Sequence, residues 1–363
     1  GRGHEALNIL RTGLIITFLV GIGLVGLVHL LMSCGFSEVF KDAATGEVFD
    51  AFMSVRRWGI LPSFLNMMLI AYFMGTARAR ILMWAMIITG TVNILGDMSL
   101  ISGRWGFPAL GAAGAAWASL VAETTGLAVL LGHIGWRHGR ALRQSVWMPW
   151  AALWKWLRLA LPMVLQLTLT LGTWSLFFFL VEQVGIMELK VSHIARNFFM
   201  LAFVVSQGVQ QTTRTFISGL LGEGRGDELV PVIRRLILVN VCGILLVSHG
   251  GLFYPSVLAG PFFDDPVGLE AASRTLPIIF SAMMIYGFSS VLLSSVQGSG
   301  NTTAALIIEV STLIVYICVS ILVTLVYPQP VWRIWRVEWV YFSLIGTGSL
   351  LFLTRWDWRS KDV

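Results

Sequence analysis

The sequence predicts an all-α polytopic membrane protein with about ten transmembrane helices. Of the 363 residues, 56% are apolar and only 12% are Asp, Glu, Lys or Arg, whereas soluble domains contain about 25% charged residues. Apolar runs recur along the whole chain, and each has about the 20 residues needed to cross a hydrocarbon core. A transmembrane β-barrel would instead show alternating segments of roughly ten residues.

Ten spans follow from these runs. They cover residues 11–32, 58–75, 81–101, 111–132, 156–181, 194–217, 234–256, 275–297, 303–327 and 337–354. With Arg214 left out, fifteen Lys and Arg residues fall on the side of the N-terminus and nine on the opposite side. Because cytoplasmic loops are richer in Lys and Arg, both termini are predicted to be cytoplasmic.

The chain contains an internal repeat. The segment Gly-Arg-Gly-His-Glu at 1–5 precedes the first span, and Gly-Arg-Gly-Asp-Glu at 224–228 precedes the seventh, 223 residues later. The same offset relates Gly75, which ends the second span, to Gly298, which ends the eighth. Six spans separate equivalent positions, so the copies share one orientation. This predicts a parallel repeat about a pseudo-two-fold axis along the membrane normal.

The repeat predicts two lobes of four and six helices. We expect an N-terminal lobe at 1–132, a cytoplasmic linker at 133–154, and a C-terminal lobe with a short tail at 155–363. The fifth and sixth spans have no counterpart in the first lobe. A natural four-plus-six arrangement explains this, and so does a first lobe that lacks two helices at its N-terminus. The opening without Met favours the second explanation.

Polar residues inside the spans indicate a cation site. Thr89, Asn93 and Asp97 recur every four residues, so their side chains share one helix face. Carboxylate, amide and hydroxyl oxygens suit Na⁺, and the carboxylate alone can carry H⁺. Asn66 is a candidate further oxygen ligand, unless it makes an ordinary interhelical hydrogen bond. Glu123 is either a second protonatable group or a group held by a neighbouring helix. The alternative to a cation site at Asp97 is that this residue lies near the outer surface and reaches water.

Three segments resemble signatures of multidrug and toxin extrusion transporters. They are NILGDMSLISGRWGFPALGAAGAAWA at 93–118, GLLGEGRGDE at 219–228 and VLLSSVQGSGNT at 291–302. The resemblance implies two six-helix lobes, with this chain beginning at the family's third helix, and exchange of H⁺ or Na⁺ for bulky, often cationic organic compounds. In one branch the ion site uses an Asn/Asp pair, matched here by Asn93 and Asp97, and an Asp on a helix that is absent from this chain.

Another branch of that family adds carboxylates in the second lobe. Thr170 stands about where the family has a Glu, and the eighth span carries no acidic residue. We therefore expect no carboxylate site in the second lobe. Glu309, in the ninth span, is expected to lie near the inner surface and reach water.

Two further groups complete the candidate residues. Polar residues of the fifth and sixth spans are candidates for a substrate cleft, although helix contacts and interfacial snorkelling explain them equally well. These residues are Gln166, Thr170, Arg196, Asn197, Gln207 and Gln211. Prolines in the spans remove helical hydrogen bonds and predict hinges. They are Pro62, Pro162 and Pro277.

The sequence therefore predicts a monomeric secondary-active antiporter that exports organic, often cationic drugs or toxins in exchange for H⁺ or Na⁺. The bilayer and small organic substrates are its expected partners. No nucleic acid, no cofactor and no metal other than Na⁺ at Asp97 and Asn93 are expected.

The alternatives are a lipid-linked oligosaccharide flippase, for which Arg196 is the nearest central base, and an inactive truncated transporter. An intramembrane enzyme is disfavoured because the sequence lacks His-Glu-x-x-His and has one aspartate deep in a span.

Overall fold

The computed structural model describes residues 2–35, 43–76, 78–144, 146–147 and 149–355. These residues form helices and no strands. The α-helices are α1 Arg2–Ser33, α2 Ala43–Gly75, α3 Ala79–Leu100, α4 Gly111–Gln144, α5 Trp150–Val184, α6 Ile186–Gly222, α7 Leu229–Phe253, α8 Pro255–Ala259, α9 Pro266–Gly298, α10 Thr302–Ile321, α11 Val331–Ile334 and α12 Val337–Arg355. A π-helical stretch, Leu322–Val326, extends α10.

Ten of the described helical segments are long and apolar enough to cross a membrane. Many large apolar side chains are exposed on them, such as Leu19, Val204 and Leu246, as expected where lipid replaces water as the solvent. The predicted fold class is therefore confirmed, and the chain is a multi-pass membrane protein.

The chain divides into two compact units, Gly1–Leu153 and Trp154–Val363. In the first unit α4 packs along both α2 and α3, and α1 packs on α2. In the second unit α9 is the central helix, because α6, α7 and α12 all pack against it. Its side chains are accordingly the most buried of all the described spans.

Several helices extend beyond the predicted spans. α2 begins at Ala43, well before the predicted start at 58, and α4 continues to Gln144. α5 begins at Trp150, so most of the predicted linker at 133–154 is helical. Hydropathy detects the apolar part of a helix only, whereas charged residues such as Arg and Glu are good helix formers. The tail at 356–363 lies outside the described residues.

The helix bounds follow the repeat. Shifting α2 by 223 residues gives residues 266–298, the bounds of α9, and shifting the start of α3 gives residue 302, where α10 begins. A contact between two helices is also repeated at the same offset. The Asn66 Nδ2 atom donates to the Glu123 carbonyl oxygen between α2 and α4, and the equivalent residues, Ser289 and Gly346, meet between α9 and α12. Both observations support duplication of a four-helix segment.

A tight turn joins α3 to α4. Gly103 and Gly111 have φ values of +69° and +54°, a region that glycine adopts without strain. The Leu110 backbone N–H donates to the Leu100 carbonyl oxygen at 2.8 Å. A Cβ atom on Gly114 would overlap the backbone of Leu100, whereas a Cβ on Gly111 would meet nothing. Gly114 therefore brings the two helices into backbone contact, and Gly111 is needed for the turn.

We expect Gly114→Ala to lower the apparent Tm of the detergent-solubilised protein, because its Cβ forces α3 and α4 apart. Overpacking of this kind costs roughly 1–3 kcal/mol. Gly135→Ala, on the same helix with open space at its Cβ position, is the control and should leave Tm unchanged or slightly raised. Equal Tm values for both variants, measured by thermal unfolding with fluorescence detection, would contradict the proposed contact.

Candidate functional site

A cavity of about 580 Å³ opens between α2, α3 and α4 of the first unit. Apolar side chains form most of its wall. The polar residues in the wall are Ser63, Asn66, Thr89, Asn93 and Glu123. Four of the five residues predicted to couple a cation thus line one cavity, although they come from three different helices.

Asp97, the fifth predicted residue, lies one helical turn beyond Asn93 and is half-buried. The Asn93 Nδ2 atom donates to the Asp97 Oδ2 atom at 2.9 Å. Among the described residues, no Lys or Arg forms an ion pair with Asp97. In the part of the chain that the structure describes, the Asp97 carboxylate is therefore oriented by a neutral amide and has no fixed countercharge.

Thr89 and Asn66 meet beside Gly126 on α4. A Cβ atom at Gly126 would overlap the Thr89 hydroxyl oxygen and would contact the Asn66 Nδ2 atom, so glycine at this position makes room for both polar groups. The Asn66 Nδ2 atom donates to the Glu123 carbonyl oxygen at 2.8 Å. Its Oδ1 atom is buried and accepts no hydrogen bond. A buried amide oxygen without a donor is costly, and it is a suitable ligand for a hard cation.

Glu123 has a fixed cationic partner. Its two carboxylate oxygens accept hydrogen bonds from Arg56 Nη1 and Nη2, both at 2.9 Å, and Ser63 donates a third at 2.6 Å. The two side chains are 32% and 23% exposed, so the bidentate ion pair is well screened from solvent. The sequence left open whether a neighbouring helix holds Glu123, and the structure shows that α2 does so.

Two predicted cleft residues meet at a different group in the second unit. The Thr170 hydroxyl donates to Glu309 Oε1 at 2.8 Å, and Gln166 Nε2 lies 3.5 Å from Glu309 Oε2. Tyr341 donates to the same carboxylate at 2.5 Å. Glu309 is only 2% exposed. The expectation that it reaches water is therefore wrong, because α5 and α12 cover the side chain.

The other predicted cleft residues do not converge. Gln211 accepts hydrogen bonds from the Arg214 guanidinium, and the Arg196 guanidinium lies over the Phe178 ring at 5.3 Å. Asn197 and Gln207 are exposed within the second unit. The structure thus brings together only Gln166 and Thr170 of the six.

The three predicted hinge residues lie inside uninterrupted helices. Pro62, Pro162 and Pro277 fall within α2, α5 and α9. Their role as hinges remains a prediction.

Sequence reasoning missed the partners of Glu123 and of Glu309. Arg56 and Glu123 are 67 residues apart, and Tyr341 and Glu309 are 32 apart. The repeat gave no signal for either pair. Glu338, which is 1% exposed near the start of α12, was not singled out either because it falls at the edge of an apolar run.

The comparisons with known proteins agree with one another. The MatE family model matches residues 162–322. A probable multidrug resistance protein NorM from Rhizobium meliloti is 28% identical over 269 residues, covering 71% of this chain and 57% of that protein. A probable NorM from Agrobacterium fabrum is 26% identical, covering 70% and 55%. This chain therefore spans just over half the length of these relatives.

A solved structure shares the fold. The MOP superfamily transporter from Pyrococcus furiosus superposes with a TM-score of 0.86 at 18% identity, covering 99% of this chain and 81% of that one.

A double-mutant cycle tests the Arg56–Glu123 pair. We expect Glu123→Gln to lower the apparent Tm, because it leaves the Arg56 charge half-buried without a partner. Adding Arg56→Gln should restore part of the loss, with a coupling of roughly 1–2 kcal/mol. Glu223→Gln, which breaks an ion pair with more than half of each side chain exposed, is the control and should change little. Additive effects of the two substitutions would show that the pair is not coupled.

Proposed function

We propose that this chain, which matches the MatE family model over residues 162–322 and resembles NorM proteins, is a secondary-active antiporter of the multidrug and toxin extrusion family that exports organic, often cationic compounds in exchange for H⁺ or Na⁺. The names of its NorM relatives as probable multidrug resistance proteins support export as the direction of transport. The whole activity is a proposal for this chain, since it spans just over half of their length.

The observation that carries the proposal is the position of Asp97. It is a half-buried carboxylate on a membrane-spanning helix, with an amide as its hydrogen-bond partner and no ion-pair partner among the described residues. A charged side chain costs roughly 2.5–3.5 kcal/mol at the centre of a membrane helix on insertion scales, and Asp97 costs less than this because it lies in the last turn of α3. A mobile cation that neutralises Asp97 removes part of that cost, so the helix environment differs between the loaded and the empty state.

The neighbouring groups support cation binding. Asn93 orients the carboxylate, while Thr89 and the unpaired Oδ1 atom of Asn66 supply further oxygens along the cavity wall. Hard cations prefer such oxygen ligands. Glu123 is held by Arg56, so its charge is compensated whether or not the cation is present. In this proposal Asp97 is the responsive group and Glu123 is a structural one.

Exchange follows from competition for one negative charge. An organic cation and H⁺ or Na⁺ each neutralise the same carboxylate, so binding of one favours release of the other. We place the protein in a bacterial inner membrane as a monomer, with both termini in the cytoplasm. The excess of Lys and Arg on one side of the spans supports this orientation.

Efflux from proteoliposomes tests the role of Asp97. With an imposed H⁺ or Na⁺ gradient, the chain should expel a fluorescent organic cation, and Asp97→Asn should reduce efflux to the level of empty liposomes, because asparagine cannot bind the coupling ion through a negative charge. Asp264→Asn, an exposed aspartate in a loop, is the matched control and should transport normally. Undiminished efflux by Asp97→Asn would refute the proposed mechanism.

Asn93 should affect ion affinity. We expect Asn93→Ala to raise the Na⁺ concentration required for half-maximal efflux by about tenfold, because it removes an oxygen ligand as well as the hydrogen bond that orients the Asp97 carboxylate, and a hydrogen bond to a charged group contributes roughly 1.5–3 kcal/mol. The control is Leu95→Ala, an exposed residue on the same helix that is not part of the cavity wall. The measurement is efflux rate against external Na⁺ concentration, and an unchanged midpoint would contradict the orienting role of Asn93.

A further inference from the structure

Two carboxyl groups are buried in the second unit, apart from the Asp97 site. Glu309 on α10 is 2% exposed and Glu338 on α12 is 1% exposed. In the described part of the chain neither has a Lys, Arg or His at ion-pair distance. Charged side chains are almost never fully buried unless they are paired. Their isolation from fixed cations therefore requires an explanation.

The partners of Glu309 can serve both of its protonation states. The Thr170 hydroxyl lies 2.8 Å from Glu309 Oε1 and 2.9 Å from the Gln166 carbonyl oxygen, but it has one hydrogen to donate. When Glu309 is ionised, that hydrogen points to the carboxylate. When Glu309 is protonated, the acid donates to Thr170, whose hydrogen turns to the Gln166 carbonyl. One hydroxyl rotation thus adapts the site to the gain or loss of a proton.

Glu338 is less well satisfied as an anion. The Tyr316 hydroxyl donates to its Oε1 atom at 2.8 Å, while its Oε2 atom is buried without a hydrogen-bond partner. Trp174 faces the same carboxyl group but makes no hydrogen bond of normal geometry to Oε2. An unsatisfied buried oxygen is more costly when it carries charge, so this environment favours the neutral acid.

Two tyrosines lie between the carboxyl groups. Tyr341 donates to Glu309 and Tyr316 donates to Glu338, and the centroids of the two rings are 5.1 Å apart. Glu309 and Tyr316 lie two turns apart on α10, while Glu338 and Tyr341 are neighbours one turn apart on α12. The two helices therefore place the four side chains in one continuous buried cluster.

Two amide side chains link Glu309 to the Arg214 guanidinium. The Arg214 Nη1 atom on α6 donates to Gln297 Oε1 at 2.9 Å, and Gln297 Nε2 on α9 donates to Gln166 Oε1 at 3.0 Å. Gln166 on α5 in turn presents its amide nitrogen to Glu309. Tyr286 on α9 is a further titratable group of this region, and its ring contacts Phe342, which lies beside Tyr341.

The donor pattern favours H⁺ over a metal cation. Thr170, Tyr341 and Gln166 all present hydrogen atoms to Glu309, and the Gln166 carbonyl oxygen is already occupied by Gln297. The occupied oxygen is the side-chain Oε1 atom of Gln166, whereas the backbone carbonyl oxygen of Gln166 accepts from Thr170. A metal ion requires acceptor oxygens at these positions. A proton requires one acceptor, which the Thr170 hydroxyl provides.

We propose that Glu309 and Glu338 are a buried pair of proton-binding carboxyl groups, each of which takes up and releases one H⁺ beside the tyrosine hydroxyl that donates to it, Tyr341 for Glu309 and Tyr316 for Glu338. The site is separate from Asp97, and the argument for it depends on the second unit alone and not on transport. Taking up one proton converts one carboxylate to the neutral acid, with no other bond made or broken.

Infrared difference spectroscopy tests this proposal on the purified full chain. Spectra recorded between alkaline and acidic pH should show a carbonyl-stretch band of a protonated carboxylic acid that shifts in D₂O. Glu309→Gln should remove a component of the band, and Glu338→Gln should remove another. Tyr341→Phe keeps both acids but removes one hydroxyl, so it should shift the Glu309 component in frequency and in midpoint pH.

Glu270→Gln is the control, because Glu270 is exposed and paired with Arg274, and it should leave the buried-acid band intact. A band that survives both glutamine substitutions, or that disappears in Asp97→Asn, would overturn the proposal. The absence of such a band from the unmodified protein would also overturn it, and this result needs no variant to fold. A titrating band in a chain without efflux would support the proton site while refuting the proposed export function, so the two failures are distinguishable.

Discussion

The cost of placing charge inside a membrane protein governs how the polar residues of this chain are arranged. The hydrocarbon core offers no water, so each ionised group requires a partner or must become neutral. The chain meets this requirement in three ways. Glu123 has a permanent countercharge in Arg56, Asp97 has an amide partner in Asn93, and Glu309 has hydroxyl and amide donors only. A group with a permanent countercharge keeps its charge, whereas we propose that the other two are neutralised by cations that arrive and leave.

The helices and part of the candidate site could be predicted from the sequence. Hydropathy located all ten spans because a span must be apolar whatever packs against it. Helical spacing placed Thr89 and Asn93 on one face because four residues make about one turn. The residues of other helices that contact these side chains could not be predicted, since the axial register between two helices depends on side-chain packing. The contact between Arg56 and Glu123 depends on this register, and no spacing in the sequence indicates it.

The duplicated segments kept their backbone and changed their polar chemistry. The positions equivalent to Asn93 and Asp97 under the 223-residue offset are Tyr316 and Ser320. The amide and the carboxylate of the first unit are thus replaced by two hydroxyl groups. Tyr316 still contacts a carboxylate, but that carboxylate comes from another helix. Helix bounds therefore survive duplication more readily than the placement of charge, because main-chain geometry tolerates substitutions that a buried ion does not.

The backbone contact at Gly114 has a mechanical consequence. α3, which carries Asp97, is joined to α4 by a short turn and touches it without intervening side chains, so the two helices have no room to slide past each other. Any displacement that starts at Asp97 must tilt them together as a rigid pair. The boundary with α2 is made of directed polar contacts, since Arg56 and Ser63 bind the Glu123 carboxylate and Asn66 donates to the Glu123 carbonyl oxygen. A tilt of the α3–α4 pair away from α2 would have to break these bonds together.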